Sequence, residues 1–118
     1  MALMEERKVP PHYAADVRKL GVEMERKDGT GQIIFTDHAI YRMYTRRVHV
    51  AKVLMTIDNP DREMDSDKGE RYRRLIKGIG KRTVYVSIVR EMGPDGKRKI
   101  VVISVAWRVR YPKPKKKK

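Results

Sequence analysis

The 118-residue sequence has no cysteine, which excludes disulfides and thiolate chemistry. A zinc site would have to be assembled from histidine and carboxylate side chains alone. Histidine is itself scarce, with three residues, and there is one tryptophan and one phenylalanine. No apolar run approaches the length of a bilayer-spanning helix; the longest, IVVISVAW (Ile100 to Trp107), has the length of a strand. The opening MALMEERK sets charges directly behind a short apolar start, which is not the pattern of a secretory leader. Gly-rich phosphate loops of the Walker or dinucleotide type are missing: GIGKRT (Gly78 to Thr83) has the wrong glycine spacing and falls between strands. DREMDSDKGE lacks the glycine spacing of a calcium loop, and no Ser/His/Asp triad can be assembled. These absences set the expectation of a cytoplasmic protein with no metal, no cofactor and no membrane partner.

Acid is the other shortage. Fifteen Asp and Glu stand against 29 Lys and Arg, for a net charge of +14. The final stretch RVRYPKPKKKK (Arg108 to Lys118) holds seven cations and no acid, and the body without it still carries +7. A field of that sign gathers polyanions and makes their binding salt-dependent, which points to nucleic acid. The competing explanations are general solubility and the charge-rich surfaces of thermophile proteins, but those are balanced in sign and this one is not. An anionic membrane is the weaker rival, since the basic tail adjoins no amphipathic helix.

With 40% hydrophobic residues the chain has material for one modest core. Residues 1–32 read as an N-terminal extension, with a short helix from His12 to Leu20 stopped by Gly21. IIF (Ile33 to Phe35) has the composition of a short strand. Thr36 or Asp37 caps a helix running to about Arg47. In a second helix from His49 to Asp58, Val50, Val53, Leu54 and Ile57 recur at the spacing of a buried stripe. From Asp61 the period becomes that of strands. REMDS and ERYRRLIKGI flank a turn at Asp67 to Gly69, TVYVSIVREM follows, GPDG turns, and KRKIVVISVAWRV closes the series. Short turns make neighbouring strands antiparallel. The predicted fold class is α+β: two helices packed on one face of a roughly four-stranded antiparallel sheet, spanning 33–109, followed by a basic tail at 110–118. Val84, Val86, Ile88, Val101, Ile103 and Val105 are the sheet residues expected in the core or at its borders. The apolar last strand should be interior, and Trp107, at its end, should pack in the core rather than stack on a ligand.

Within TDHAIYRMYTRRV (Thr36 to Val48), His38, Arg42 and Arg46 recur every four residues and so share one helix face. At the first helical turn the dipole disfavours an imidazolium, so His38 is expected neutral and able to accept a proton. Arg42 and Arg46 offer forked donors suited to phosphate oxygens. A base beside two cations suits metal-free RNA cleavage, in which the 2′-OH attacks the adjacent phosphate. A solvated polar face explains the same three residues. On the strand RYRRLIK, alternation places Tyr72, Arg74 and Ile76 on one side and Arg71, Arg73, Leu75 and Lys77 on the other. Lys81, Arg82 and Tyr85 extend this basic-aromatic character, and Lys113, Lys115, Lys116, Lys117 and Lys118 add the tail to the candidate nucleic-acid contacts. An edge strand protected by lysine and arginine is the structural alternative.

The stretch His38, Ala39, Arg42, Met43 and Arg46 resembles the His-Ala-x-x-Arg-Met-x-x-Arg helix of small BrnT-related domains in the RelE/ParE-like toxin superfamily. VLMTIDNP (Val53 to Pro60) and the order of elements resemble it too, over about Phe35 to Val109. The resemblance implies a RelE-like fold, metal-independent endoribonuclease activity, RNA as the partner ahead of DNA, and neutralisation by an antitoxin. It carries His38 and Arg42 over as the family's His-x-x-x-Arg pair, and Arg74, Lys77 or Lys81 more loosely as basic strand residues. The chain departs from the pattern where Arg47 replaces the glycine that usually follows the helix, and in its extension and tail. The alternatives are a non-catalytic RNA-binding component of a ribonucleoprotein such as the ribosome, and a DNA-binding accessory protein, for example a viral one.

Overall fold

The computed structural model of the chain describes residues 9–23, 32–66, 69–94 and 96–109. In chain order the elements are α1 (Pro11–Glu23), β1 (Ile33–Phe35), α2 (Asp37–Thr45), α3 (Val50–Asp58), β2 (Arg62–Ser66), β3 (Gly69–Ile79), β4 (Arg82–Met92) and β5 (Arg98–Val109). The class is α+β, as the sequence pattern predicts. The count and topology differ: among the described residues three helices accompany a five-stranded mixed sheet of order β1-β5-β4-β3-β2. β2 through β5 are the expected antiparallel strands, while β1 joins parallel to β5, with Ile33 opposite Ile100 and Phe35 opposite Val102. A three-residue strand is too short for periodicity to disclose its partner. The expected interior position of β5 follows from this pairing, with β1 on one side and β4 on the other.

Local chemistry sets the element ends. The Thr36 hydroxyl accepts from the Ala39 N–H at 3.1 Å and caps α2, while donating to the Val102 carbonyl at 3.0 Å. His49 caps α3 in the same way, its Nδ1 accepting from Ala51 N–H at 3.1 Å. At the other end of α2, Val48 N–H bonds to the Met43 carbonyl at 2.9 Å and Arg47 N–H to the Tyr44 carbonyl at 3.3 Å. This is the paired closure of a Schellman turn, with Arg47 left-handed at φ 56. Arg47 is therefore at the position where glycine carries no steric penalty. β3 and β4 are joined by Gly80 and Lys81, with φ 61 at Gly80, the geometry a two-residue type II′ hairpin needs at its first position.

The core lies between the helices and one sheet face. It joins Ile40 and Met43 of α2 and Val53, Leu54 and Ile57 of α3 to Leu75, Val84, Val86, Ile88, Ile100, Val102 and Val105. Val50 and Trp107 are half-buried against it. Val101 and Ile103, expected in the core or at its borders, belong neither to the cluster nor to the residues packed against it, and are half-buried. A β-bulge between Ser87 and Ile88 on the β4–β5 ladder leaves Ile103 unpaired, with Ser87 opposite Ser104 and Ile88 opposite Val102. The extra residue reverses the alternation, so Val105 and Trp107 share the helix-facing side with Ile100 and Val102.

α1 was expected to stop at Gly21, but it continues through that residue to Glu23. Gly21 is buried where the helix presses on β1: a Cβ there would overlap the Ile33 carbonyl oxygen and lie 2.9 Å from Phe35 Cε2. The absent side chain is used for close approach rather than for a helix stop. Val17 enters the core, the Tyr13 ring meets Tyr44 edge-on at 5.2 Å, and Arg18 pairs with Asp37.

Candidate nucleic-acid interface

Strand alternation divides the basic residues between two sheet faces. Leu75 belongs to the core, so Arg73 and Lys77 share the helix-facing side with it, and both engage partners there. Arg73 donates to Glu63 at 2.9 Å and pairs with Asp65, while Lys77 donates to the Asn59 carbonyl at 2.8 Å and lies 3.6 Å from Asp61. Arg90 forks onto both oxygens of Glu63 at 2.8 Å. The bonds from Arg90, and then from Arg73, lower the Glu63 carboxyl to about 2 against the opposing effect of desolvation. Exposed Arg71 lies 3.5 Å from Glu91. Lys81 is exposed in the β3–β4 turn, and Lys113, Lys115, Lys116, Lys117 and Lys118 lie outside the described residues.

The opposite face presents a different chemistry. Tyr72 and Arg74 of β3 lie on it, both half-buried, with Arg74 in register with Ser87 and Ser87 with Ser104. Tyr85 is in register with Ala106, and the Arg108 guanidinium lies 6.0 Å from the Tyr85 ring centroid. A cleft of about 390 Å³ on this face is lined by Arg46, Arg74, Tyr85, Ser87, Ser104, Val105, Ala106 and Arg108; Tyr72 lies outside that lining. Among the described residues the lining holds three guanidinium groups, one phenol and two hydroxyls, with no carboxylate. The set supplies charged and neutral donors at once, which suits phosphate oxygens and an unpaired base.

Arg46 reaches this cleft from α2. Beyond Val102 the short β1 no longer accompanies β5, and Arg46 Nη1 donates to the Val105 carbonyl at 2.9 Å. The Arg46 carbonyl accepts from the Trp107 indole N–H at 2.5 Å, so its main chain and side chain are both tied to β5. Burial lowers the Arg46 pKa, and the nearby charge of Arg42 adds to the effect. An anion arriving beside Arg46 would relieve both effects.

His38 and Arg42 are half-buried on α2. Arg42 Nε donates to His38 Nε2 at 3.4 Å, so that nitrogen serves as acceptor, and the Arg42 guanidinium lies 5.6 Å from the Tyr41 ring centroid. Of the three helix residues singled out in the sequence, Arg46 lines the cleft; His38 and Arg42 do not. Ser87, Ser104 and Arg108 were not singled out. Ser87 could have been found by counting two residues on from Tyr85, whereas Ser104 and Arg108 are shifted into place by the bulge. Among the described residues, no three His, Asp or Glu side chains are grouped to hold a metal ion. Nor is any described helix long and apolar enough to cross a membrane.

The fold and the cleft define a small α+β domain with a basic cleft on the sheet face opposite its core. Residues 35–107 match the family described as Domain of unknown function (DUF4258), and the chain belongs to that family. No curated protein and no solved structure matches it.

Proposed function

We propose that this chain binds RNA across the sheet face that carries Arg46, Arg74 and Arg108, as a protein of RelE-like type. One observation carries the reading: three guanidinium groups from three separate elements converge on Tyr85, Ser87 and Ser104, with no carboxylate among the described residues of the lining. The net charge of +14 supplies long-range attraction. The helix motif and the run of antiparallel strands support the RelE-like assignment. The bound RNA's own 2′-OH would be the nucleophile in a metal-free cleavage, with His38 as general base and Arg42 and Arg46 holding the phosphate. Non-catalytic binding is the second reading. It is favoured by the Arg42–His38 hydrogen bond and by the absence of both residues from the cleft lining.

Labelled single-stranded RNA titrated at rising salt tests the binding. Affinity should fall with a log–log slope of about −0.7 per phosphate contact, and the Arg74→Ala/Arg108→Ala double variant should have a slope shallower by about 1.4. Deleting Lys113 to Lys118 should weaken binding at low salt with the thermal melt unchanged. Equal affinity for all three proteins at every salt concentration would refute this interface. Incubation with RNA in EDTA separates the two readings. Cleavage leaving 2′,3′-cyclic phosphate ends, lost in His38→Ala, supports the enzyme, while binding without cleavage supports the non-catalytic component.

A further inference from the structure

A second concavity, of about 540 Å³, is lined by Thr45, Arg46, Arg47, Arg82, Ala106 and Trp107. It shares Arg46 and Ala106 with the cleft on the sheet face, so the two meet where β5 runs past α2. The Arg82 guanidinium lies 4.1 Å from the Trp107 ring centroid and is exposed, while the indole N–H is already committed to the Arg46 carbonyl. The ring is thus anchored by its edge and by the core, with a planar cation laid over it. Arg73, Lys77 and Arg90 are all engaged by carboxylates, whereas among the described residues no carboxylate is ion-paired to Arg47 or Arg82. Arg47 is also the described non-glycine residue with positive φ, a conformation that glycine would adopt without steric cost. Strain is thus retained at the position that supplies a cation to this concavity.

We propose that Arg82, stacked on Trp107, is the platform for one unpaired base of a single-stranded RNA whose phosphates pass Arg46 and Arg47 between the two concavities. The proposal rests on the RNA-binding reading and narrows its substrate class to single strands or loops. Guanidinium planes accept unstacked bases, and a paired base inside a duplex has no face to offer. Arg46 is the hinge of the path, since both concavities include it.

Trp107 is the single tryptophan, so its emission reports this site alone. A short labelled oligouridylate and a blunt RNA duplex of equal length are titrated into the full chain. Anisotropy follows binding, and Trp107 emission follows the platform. The single strand should change the emission with the same midpoint as the anisotropy, and the duplex should leave it unchanged. Arg82→Ala should weaken single-strand binding by about tenfold or more and remove the emission change. Arg82→Lys, which keeps the charge without the plane, should retain the salt dependence yet bind more weakly than the parent. Anisotropy showing binding while emission stays constant, or an Arg82→Ala variant binding like the parent, overturns the platform and leaves the RNA-binding reading standing. A duplex that changes the emission equally overturns the restriction to single strands. If neither RNA binds at any salt concentration, the RNA-binding reading falls and this inference falls with it.

Discussion

Replacing Arg47 by glycine should strengthen the fold and weaken RNA binding at once. Arg47 closes α2 in a Schellman turn at φ 56, where an L side chain crowds its own backbone. That crowding costs about 1–2 kcal/mol. Glycine removes it but loses more backbone entropy on folding, a penalty of about 0.5–1 kcal/mol. The difference leaves Arg47→Gly more stable by about 0.5–1 kcal/mol, a rise of about 2–4 °C in Tm for a domain of this size. The side chain is exposed, so little packing is lost to offset the gain. The same change deletes one cation, so the log–log salt slope for single-stranded RNA should become shallower by about 0.7. Arg47→Ala is the control: it removes the charge yet keeps the left-handed strain, so binding should fall with no gain in Tm. Thermal melts and salt titrations of the three proteins provide the test. If Arg47→Gly melts at or below the parent temperature, strain at this turn is not the cost inferred here. A gain in stability with unchanged RNA affinity would show that the side chain plays no part in binding.

Gly21→Ala should destabilise the protein by about 1–3 kcal/mol in a urea melt, because the new methyl overlaps the Ile33 carbonyl and Phe35. Val102→Ala should cost about 2–3 kcal/mol while Val101→Ala costs well under half as much, since Val102 is fully buried and Val101 lies on the opposite face; equal losses would contradict the bulged register. The Glu63 carboxyl is lowered in the folded state from its ordinary 4.5 to about 2, so its ion pairs stabilise fully above about pH 4.5 and lose that contribution as pH falls toward 2. After allowance for solvent screening, Glu63→Gln should cost about 1–2 kcal/mol at pH 7, and the gap between variant and parent should close near pH 2.

Much of this architecture is legible in the residue pattern. The cap at Thr36, the buried stripe of α3 and the four antiparallel strands follow from short-range chemistry that leaves a periodic trace. What escaped the pattern depends on distant partners. Ile33 to Phe35 carry the composition of a strand but no information about pairing with β5. The bulge at Ile103 reverses the inside and outside of half a strand, and either phase of IVVISVAW is apolar enough to be buried. The faces of β3 were readable as Tyr72–Arg74–Ile76 against Arg73–Leu75–Lys77. Leu75 sits on the face that meets the helices, where Glu63, Asp65 and Asp61 of the neighbouring segment also meet Arg73 and Lys77. For the same reason the cleft was only partly visible: Arg46, Arg74 and Tyr85 stood out, whereas Ser104 and Arg108 reach it through the bulge.

The parallel pairing of β1 with β5 also has a consequence for how the chain folds. The β3–β4 hairpin closes through two residues and can form early, whereas Ile33 meets Ile100 only after the chain between them is in place. On contact-order grounds the first of the described strands is expected to be added last. Until it arrives, the backbone of Ile100 to Val102 stands unpaired along an apolar strand, a template for a strand from another molecule. The three residues of β1 thus act as a seal on an adhesive edge. A chain cut to begin at Thr36, just inside the seal, should sediment as larger species than the full chain before it loses its helices in circular dichroism.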